Sequence, residues 1–115
     1  MTMKWKIIQG DCVEGMKSIP SGSVHTCVTS PPYFGLRSYG GGTNEIGCEQ
    51  SPEDYVRKIV EVFRGVKNIL RDDGTLWLNI GDSYASTFRG GEYGIKAKDL
   101  IGIPWRVAFA LQADG

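Results

Sequence analysis

Three short clusters hold the residue types that could do chemistry: Gln9-Gly10-Asp11, Thr29-Ser30-Pro31-Pro32-Tyr33 and Asn79-Ile80-Gly81-Asp82. Each follows a β-prone run and turns abruptly to small, acidic or hydroxyl residues. The middle cluster is the most informative. Two consecutive prolines remove two N–H donors and hold the backbone extended, so that carbonyl oxygens remain as acceptors. Ser30 adds a side-chain oxygen, and Tyr33 adds a flat aromatic face. Acceptors beside a ring suit a planar group with an exocyclic amine, whose N–H groups donate while its ring stacks on the tyrosine. Pro-Pro-Tyr also ends strands with no further role. Exposed and flexible, it would serve instead as a proline-rich ligand, but a strand leading directly into it argues against that use.

The elements that must position these clusters are legible around them. Lys4–Gln9, Ser23–Thr29 and Thr75–Ile80 are β-prone runs, the last introduced by the turn signal Asp72-Asp73-Gly74. Ser51-Pro52-Glu53-Asp54 starts a helix, with Ser51 as N-cap, proline in the first turn and two acids against the positive end of the dipole. Behind it, Tyr55, Val56, Ile59, Val60, Phe63, Val66, Ile69 and Leu70 share one broad apolar face, and Arg57, Lys58, Glu61, Arg64 and Lys67 take the other. A shorter helix is expected from about Cys12 to Ser18. A last one starts near Pro104 and is expected to bury Trp105, Ala108, Phe109 and Leu111. Strand, helix, strand, long loop, helix, strand, loop, helix is the order of an α/β layered fold with a mostly parallel sheet. The first two strands are expected to lie parallel and adjacent, and all three strand ends to share one edge, where open α/β sheets bind ligands.

Composition limits the function classes. A chain of 115 residues with 41% hydrophobic and 23% charged residues is one domain of ordinary soluble type. No apolar run reaches the ~20 residues of a membrane span, and Met1–Lys6 lacks the apolar core of a signal peptide. A cytoplasmic setting without membrane contact is expected. Thirteen Lys+Arg balance thirteen Asp+Glu, so any nucleic-acid contact must come from a local patch. Cys12, Cys27 and Cys48 fit neither a disulfide framework nor a zinc site, and no metal is expected. Gly40-Gly41-Gly42 opens no helix after a strand and is no phosphate loop. His25 is given no chemistry.

The stretch from Gly10-Asp11-Cys12 through Ile19-Pro20 to Thr29-Ser30-Pro31-Pro32-Tyr33-Phe34-Gly35 resembles the DNA amino-methyltransferases, the N4-cytosine and N6-adenine group. The likeness continues through Ser51–Tyr55, Leu70–Tyr84 with its LWLNIGDSY, and Lys98–Arg106, and so covers nearly the whole chain. It implies a Rossmann-like methyltransferase fold and methyl transfer from S-adenosylmethionine to the amine of a base flipped out of double-stranded DNA. By the same resemblance the Ser30 hydroxyl and Pro31 carbonyl accept from the target amine, Pro32 shapes the turn, and Tyr33 stacks on the base. Asp11 bonds the adenine amine of the cofactor, caps the following helix, or does both. Asp82 and Ser83 touch the target base or its neighbours, or Asp82 caps a turn. Arg37, Arg89, Lys96 and Lys98, in glycine-rich loops, are candidate phosphate contacts. Serine ahead of Pro-Pro-Tyr is commoner in members that methylate cytosine at N4, so cytosine is favoured over adenine.

The glycine-rich cofactor motif of the permuted members, a strand into Phe-x-Gly-x-Gly, is not found in these residues. Residues 1–115 therefore read as a single partial methyltransferase domain, its target-base half: a fragment, a truncated frame or one piece of a split enzyme. Apolar surface left bare in such a half would drive self-association or be covered by a second chain. The alternative to an enzyme piece is a catalytically inactive remnant of the same family that binds DNA or a partner.

Overall fold

Helix α2 (Pro52–Ile69) forms where the sequence starts it. Ser51 is extended and its hydroxyl accepts from the Asp54 amide at 3.1 Å, with Pro52 in the first turn. Tyr55, Ile59, Val62, Phe63, Val66 and Ile69 are buried along one side, each apolar side chain worth about 1.5–3 kcal/mol once out of water. This computed structural model describes residues 2, 4–35, 40, 45–86 and 91–115, residues 91 and 92 by backbone alone.

The other elements are α1 (Cys12–Met16), β1 (Val24–Thr29), β2 (Leu70–Leu78), the short strands β3 (Gly91–Glu92) and β4 (Ile95–Lys96), and α3 (Ile103–Asp114). β1 and β2 pair in parallel, with Thr26 opposite Thr75, Cys27 opposite Leu76, Val28 opposite Trp77 and Thr29 opposite Leu78. The helix between them is the crossover that parallel pairing requires. Cys27, Leu76 and Leu78 pack with α2 in the core, joined there by Phe34, Ile101, Ile103 and Val107. The opposite face of the sheet is open, with Val28 77% and Trp77 66% exposed.

Three expectations need correction. Lys4–Gln9 is not a strand, and among the described residues the β1–β2 sheet has two strands. A β-prone run needs a neighbour's amides and carbonyls; this one finds none here, and Trp5 and Ile7 are 82% and 80% exposed. Asp72-Asp73-Gly74 does not start a strand. It forms an irregularity inside β2, where the register with β1 shifts between Val24 and Thr26. A β-carbon on Gly74 would lie 2.9 Å from the Arg71 carbonyl oxygen and 3.2 Å from that of His25, which explains the glycine. Finally, α3 buries Ile103 and Val107 rather than Trp105, Ala108 and Phe109, with Leu111 only half-buried. That helix is apolar on two sides, so periodicity alone did not choose between them.

Among the described residues no helix is long and apolar enough to cross a membrane.

Candidate active site at the carboxyl ends of the strands

Two of the three clusters meet. The Asn79 amide donates to the Thr29 carbonyl at 2.9 Å, so the strand ends stay paired and deliver Ser30 beside Asn79. Val28, Thr29, Ser30, Trp77, Leu78 and Asn79 line an open depression of about 480 Å³. Ser30 is exposed, and its hydroxyl makes no hydrogen bond among the described residues. It is free to accept from a ligand.

The segment after Ser30 is held from several sides. The hydroxyl of fully buried Tyr55 donates to the Pro32 carbonyl at 2.8 Å. Phe34, 4% exposed, packs tilted on the Tyr55 ring with centroids 5.6 Å apart. The Gly35 amide donates to the Gly47 carbonyl at 2.8 Å. Gly47, at φ +99°, sits so close that a β-carbon there would lie 2.9 Å from the Tyr33 carbonyl oxygen. Gly81 meets the Tyr33 ring, and a β-carbon on it would lie 2.6 Å from Cε2. Backbone fixed at this many points keeps its carbonyls and ring pre-oriented.

Asp11 caps the helix that follows it. One carboxylate oxygen, Oδ2, accepts from the Glu14 amide at 3.1 Å and caps α1. Its other oxygen makes no hydrogen bond among the described residues. The Asp82 carboxylate is fully engaged, accepting from the amides of Ser83 at 2.8 Å, Gly102 at 2.9 Å and Ile103 at 3.0 Å. It is placed at the start of α3 as an acceptor for backbone. Lys96, in β4, and Lys98, at φ 71°, are exposed. Arg37 and Arg89 lie outside the described residues.

Gly81 stands in the third sequence cluster without a role of its own, and Tyr55 and Gly47 were not read from the sequence as site residues. Tyr55 appeared only as one more apolar position on α2, although a buried tyrosine hydroxyl must find a partner, and that signal was present. Burial, and then Glu49 and Tyr33 nearby, hold the Tyr55 hydroxyl well above the ordinary tyrosine range. Raised in the folded state, this group contributes stability that is full below pH ~10 and is lost as pH rises from there through the folded pKa. Titration at 295 nm is expected to show one tyrosine ionising last, together with unfolding, and Tyr55→Phe should remove that phase. Loss of every tyrosine proton in one step near pH ~10 with the fold intact would contradict it.

Known proteins resemble this chain over most of its length. The DNA methylase model, of the N6/N4 methyltransferases, matches residues 24–115. The type II methyltransferase M.SmaI of Serratia marcescens is 48% identical over 96% of this chain and 44% of its own length. M.Cfr9I of Citrobacter freundii is 46% identical over 95% of this chain and 42% of its own. The chain thus spans less than half the length of these relatives. Among solved structures, PvuII DNA methyltransferase (cytosine-N4-specific) superposes with a TM-score of 0.62 and 23% identity, over 91% of this chain and 32% of that one. That likeness shows a shared methyltransferase fold, and with the sequence matches it bears out the resemblance drawn from TSPPY and LWLNIGDSY: the chain belongs to the DNA methylase family of N6/N4 methyltransferases.

Proposed function

We propose that this chain supplies the target-base side of a DNA amino-methyltransferase, with the exocyclic amine of a flipped cytosine as acceptor. The observation that carries the reading is Ser30, exposed and unbonded among the described residues, next to a Pro-Pro-Tyr segment fixed in place by Tyr55 and Gly81. The Ser30 hydroxyl oxygen and the Pro31 carbonyl accept the two N–H groups of the amine. That leaves the nitrogen lone pair directed out of the base plane, toward a methyl donor. Tyr33 stacks on the base and fixes its plane. Positioning of this kind supplies rate without a strong base.

S-adenosylmethionine, the donor this family implies, provides an electrophilic methyl group when bound. Asp11 fits a role in holding it, because one carboxylate oxygen remains after capping α1 and accepts from an adenine amine. The DNA backbone meets the exposed cations Lys96 and Lys98, and Arg37 and Arg89 are further cations of the same sequence stretches. Double-stranded DNA in the cytoplasm is the partner this assigns. Cytosine is favoured over adenine by the serine ahead of Pro-Pro-Tyr, and the structural relative of the same fold is cytosine-N4-specific.

The test is expression, in a host without DNA methylation, of the longest reading frame that contains the chain. If that frame ends with the chain, the C-terminal portion of the Serratia relative is added in trans. Mass spectrometry of the nucleosides is expected to find N4-methylcytosine. N6-methyladenine alone would overturn the choice of base, and no methylated nucleoside would favour the inactive remnant.

The open faces carry a related proposal. Val28 and Trp77 on the sheet, and Trp105 and Phe109 one turn apart on α3, are 66–77% exposed, which is unusual for residues of this size. The 115-residue chain by itself is expected to self-associate at high concentration. A monodisperse monomer in light scattering would contradict this.

A further inference from the structure

We infer that Gly81 and Tyr55 are positioning residues for the Tyr33 ring, Gly81 by giving it a flat backbone to lie on and Tyr55 by fixing the peptide that leads into it. The inference rests on the reading of Tyr33 as the residue that stacks on the target base.

A β-carbon built on Gly81 would lie 2.6 Å from Cε2, 2.9 Å from Cδ2 and 3.2 Å from Cζ of Tyr33. A probe meeting the ring edge-on would touch one carbon and find its two neighbours much farther away. Three nearly equal distances mean approach onto the ring face. One face of Tyr33 is therefore closed by the backbone of the β2 extension, and a base stacks on the other. Gly81 has no positive φ, so alanine fits its backbone and only the ring stands in the way. Because that backbone continues from β2, whose end is tied to Thr29, the ring takes its height from the sheet.

Tyr55 acts on the same ring through the backbone that leads into it. Its hydroxyl bond to the Pro32 carbonyl, at 2.8 Å, sets the orientation of the peptide joining Pro32 to Tyr33. It also engages one lone pair of that carbonyl, whereas the Ser30 hydroxyl makes no hydrogen bond among the described residues. With no side-chain polar atom of its own, phenylalanine at 55 keeps the packing on Phe34 and loses only this bond.

The experiment is a pair of double-mutant cycles in the active enzyme described above. Gly81→Ala and Tyr55→Phe are made singly and again with Tyr33→Ala, and kcat/KM for DNA is measured. Gly81→Ala is expected to lower it at least tenfold and Tyr55→Phe severalfold, with melting temperatures close to the parent. In the Tyr33→Ala background neither should lower it further, since the ring they position is gone. Additive losses, or a Gly81→Ala enzyme as active as the parent, would overturn the inference while leaving Tyr33 as the stacking residue. A Tyr33→Ala enzyme of full activity would instead remove the reading on which it rests. Should Gly81→Ala not fold, the Tyr55→Phe cycle decides by the same rule. In the same enzyme, labelled at glycine, ring-current shielding offers a readout apart from activity. The Gly81 α-proton resonances are expected upfield, and Tyr33→Ala should return them to the ordinary glycine range, whereas unchanged resonances would overturn the contact.

Discussion

Tyr33→Ala is expected to lower single-turnover methyl transfer by about 5- to 150-fold, the kinetic equivalent of the ~1–3 kcal/mol that stacking a base on an aromatic ring contributes. Ser30→Ala should reduce it by about 100-fold, because an acceptor that aligns the amine is lost and small misplacements at a reacting centre are expensive. The two differ in what they do to the fold. Ser30 is exposed and its hydroxyl has no partner among the described residues, so alanine there should shift stability by no more than about 0.5 kcal/mol. Tyr33 is half-buried against Gly81, and its truncation also opens space beside the β2 extension. Rapid-quench methylation at saturating DNA, alongside thermal melts, separates the effects. A Ser30→Ala enzyme that methylates at the parent rate would remove the amine-binding role from this strand end. A Tyr33→Phe control keeps the ring and should retain most of the activity.

What could be read in the sequence followed from local signals. Ser51 and Pro52 fixed the start of α2, since capping and proline geometry act within one turn. Val24–Thr29 and the run through Thr75–Leu78 declared themselves strands by composition, and Pro31-Pro32 marked where the first must stop. The misreadings came where the outcome depends on distant neighbours. Trp5 and Ile7 have strand character but no partner strand among the described residues. Trp105 and Val107 are both apolar positions of α3, and only docking against α2 decides that Val107 turns inward. The site divides in the same way. Ser30 and Tyr33 were visible because their cluster is contiguous in sequence. Tyr55 was not, because it reaches back 23 residues to the Pro32 carbonyl, and Gly81, though inside a quoted cluster, showed no sign of its closeness to the Tyr33 ring, which depends on the absence of a side chain.

Asp82 is the residue where two readings of the sequence lead to opposite experiments. Helix α3 has no acidic residue in its first turn, and Gly102 at its N-cap, with φ 84°, offers no side chain to receive the free amides. Asp82 fills that place from 20 positions earlier, accepting from the Gly102 and Ile103 amides as well as from Ser83. Its negative charge also lies against the positive end of the helix dipole. Asp82→Ala leaves these partly buried donors unmatched, which is expected to cost about 2–3 kcal/mol from the lost cap and the unsatisfied amides together. For a domain of this size the melting temperature should fall by about 10–20 °C. Asp82→Asn keeps an acceptor oxygen and loses the charge, so its fall should be well under half as large. If Asp82 served chiefly to touch DNA, Asp82→Ala would melt with the parent and lose only affinity for DNA. Thermal melts of the two variants, set beside a DNA-binding titration of Asp82→Asn, distinguish the cases, and an unchanged melt for Asp82→Ala would refute the cap.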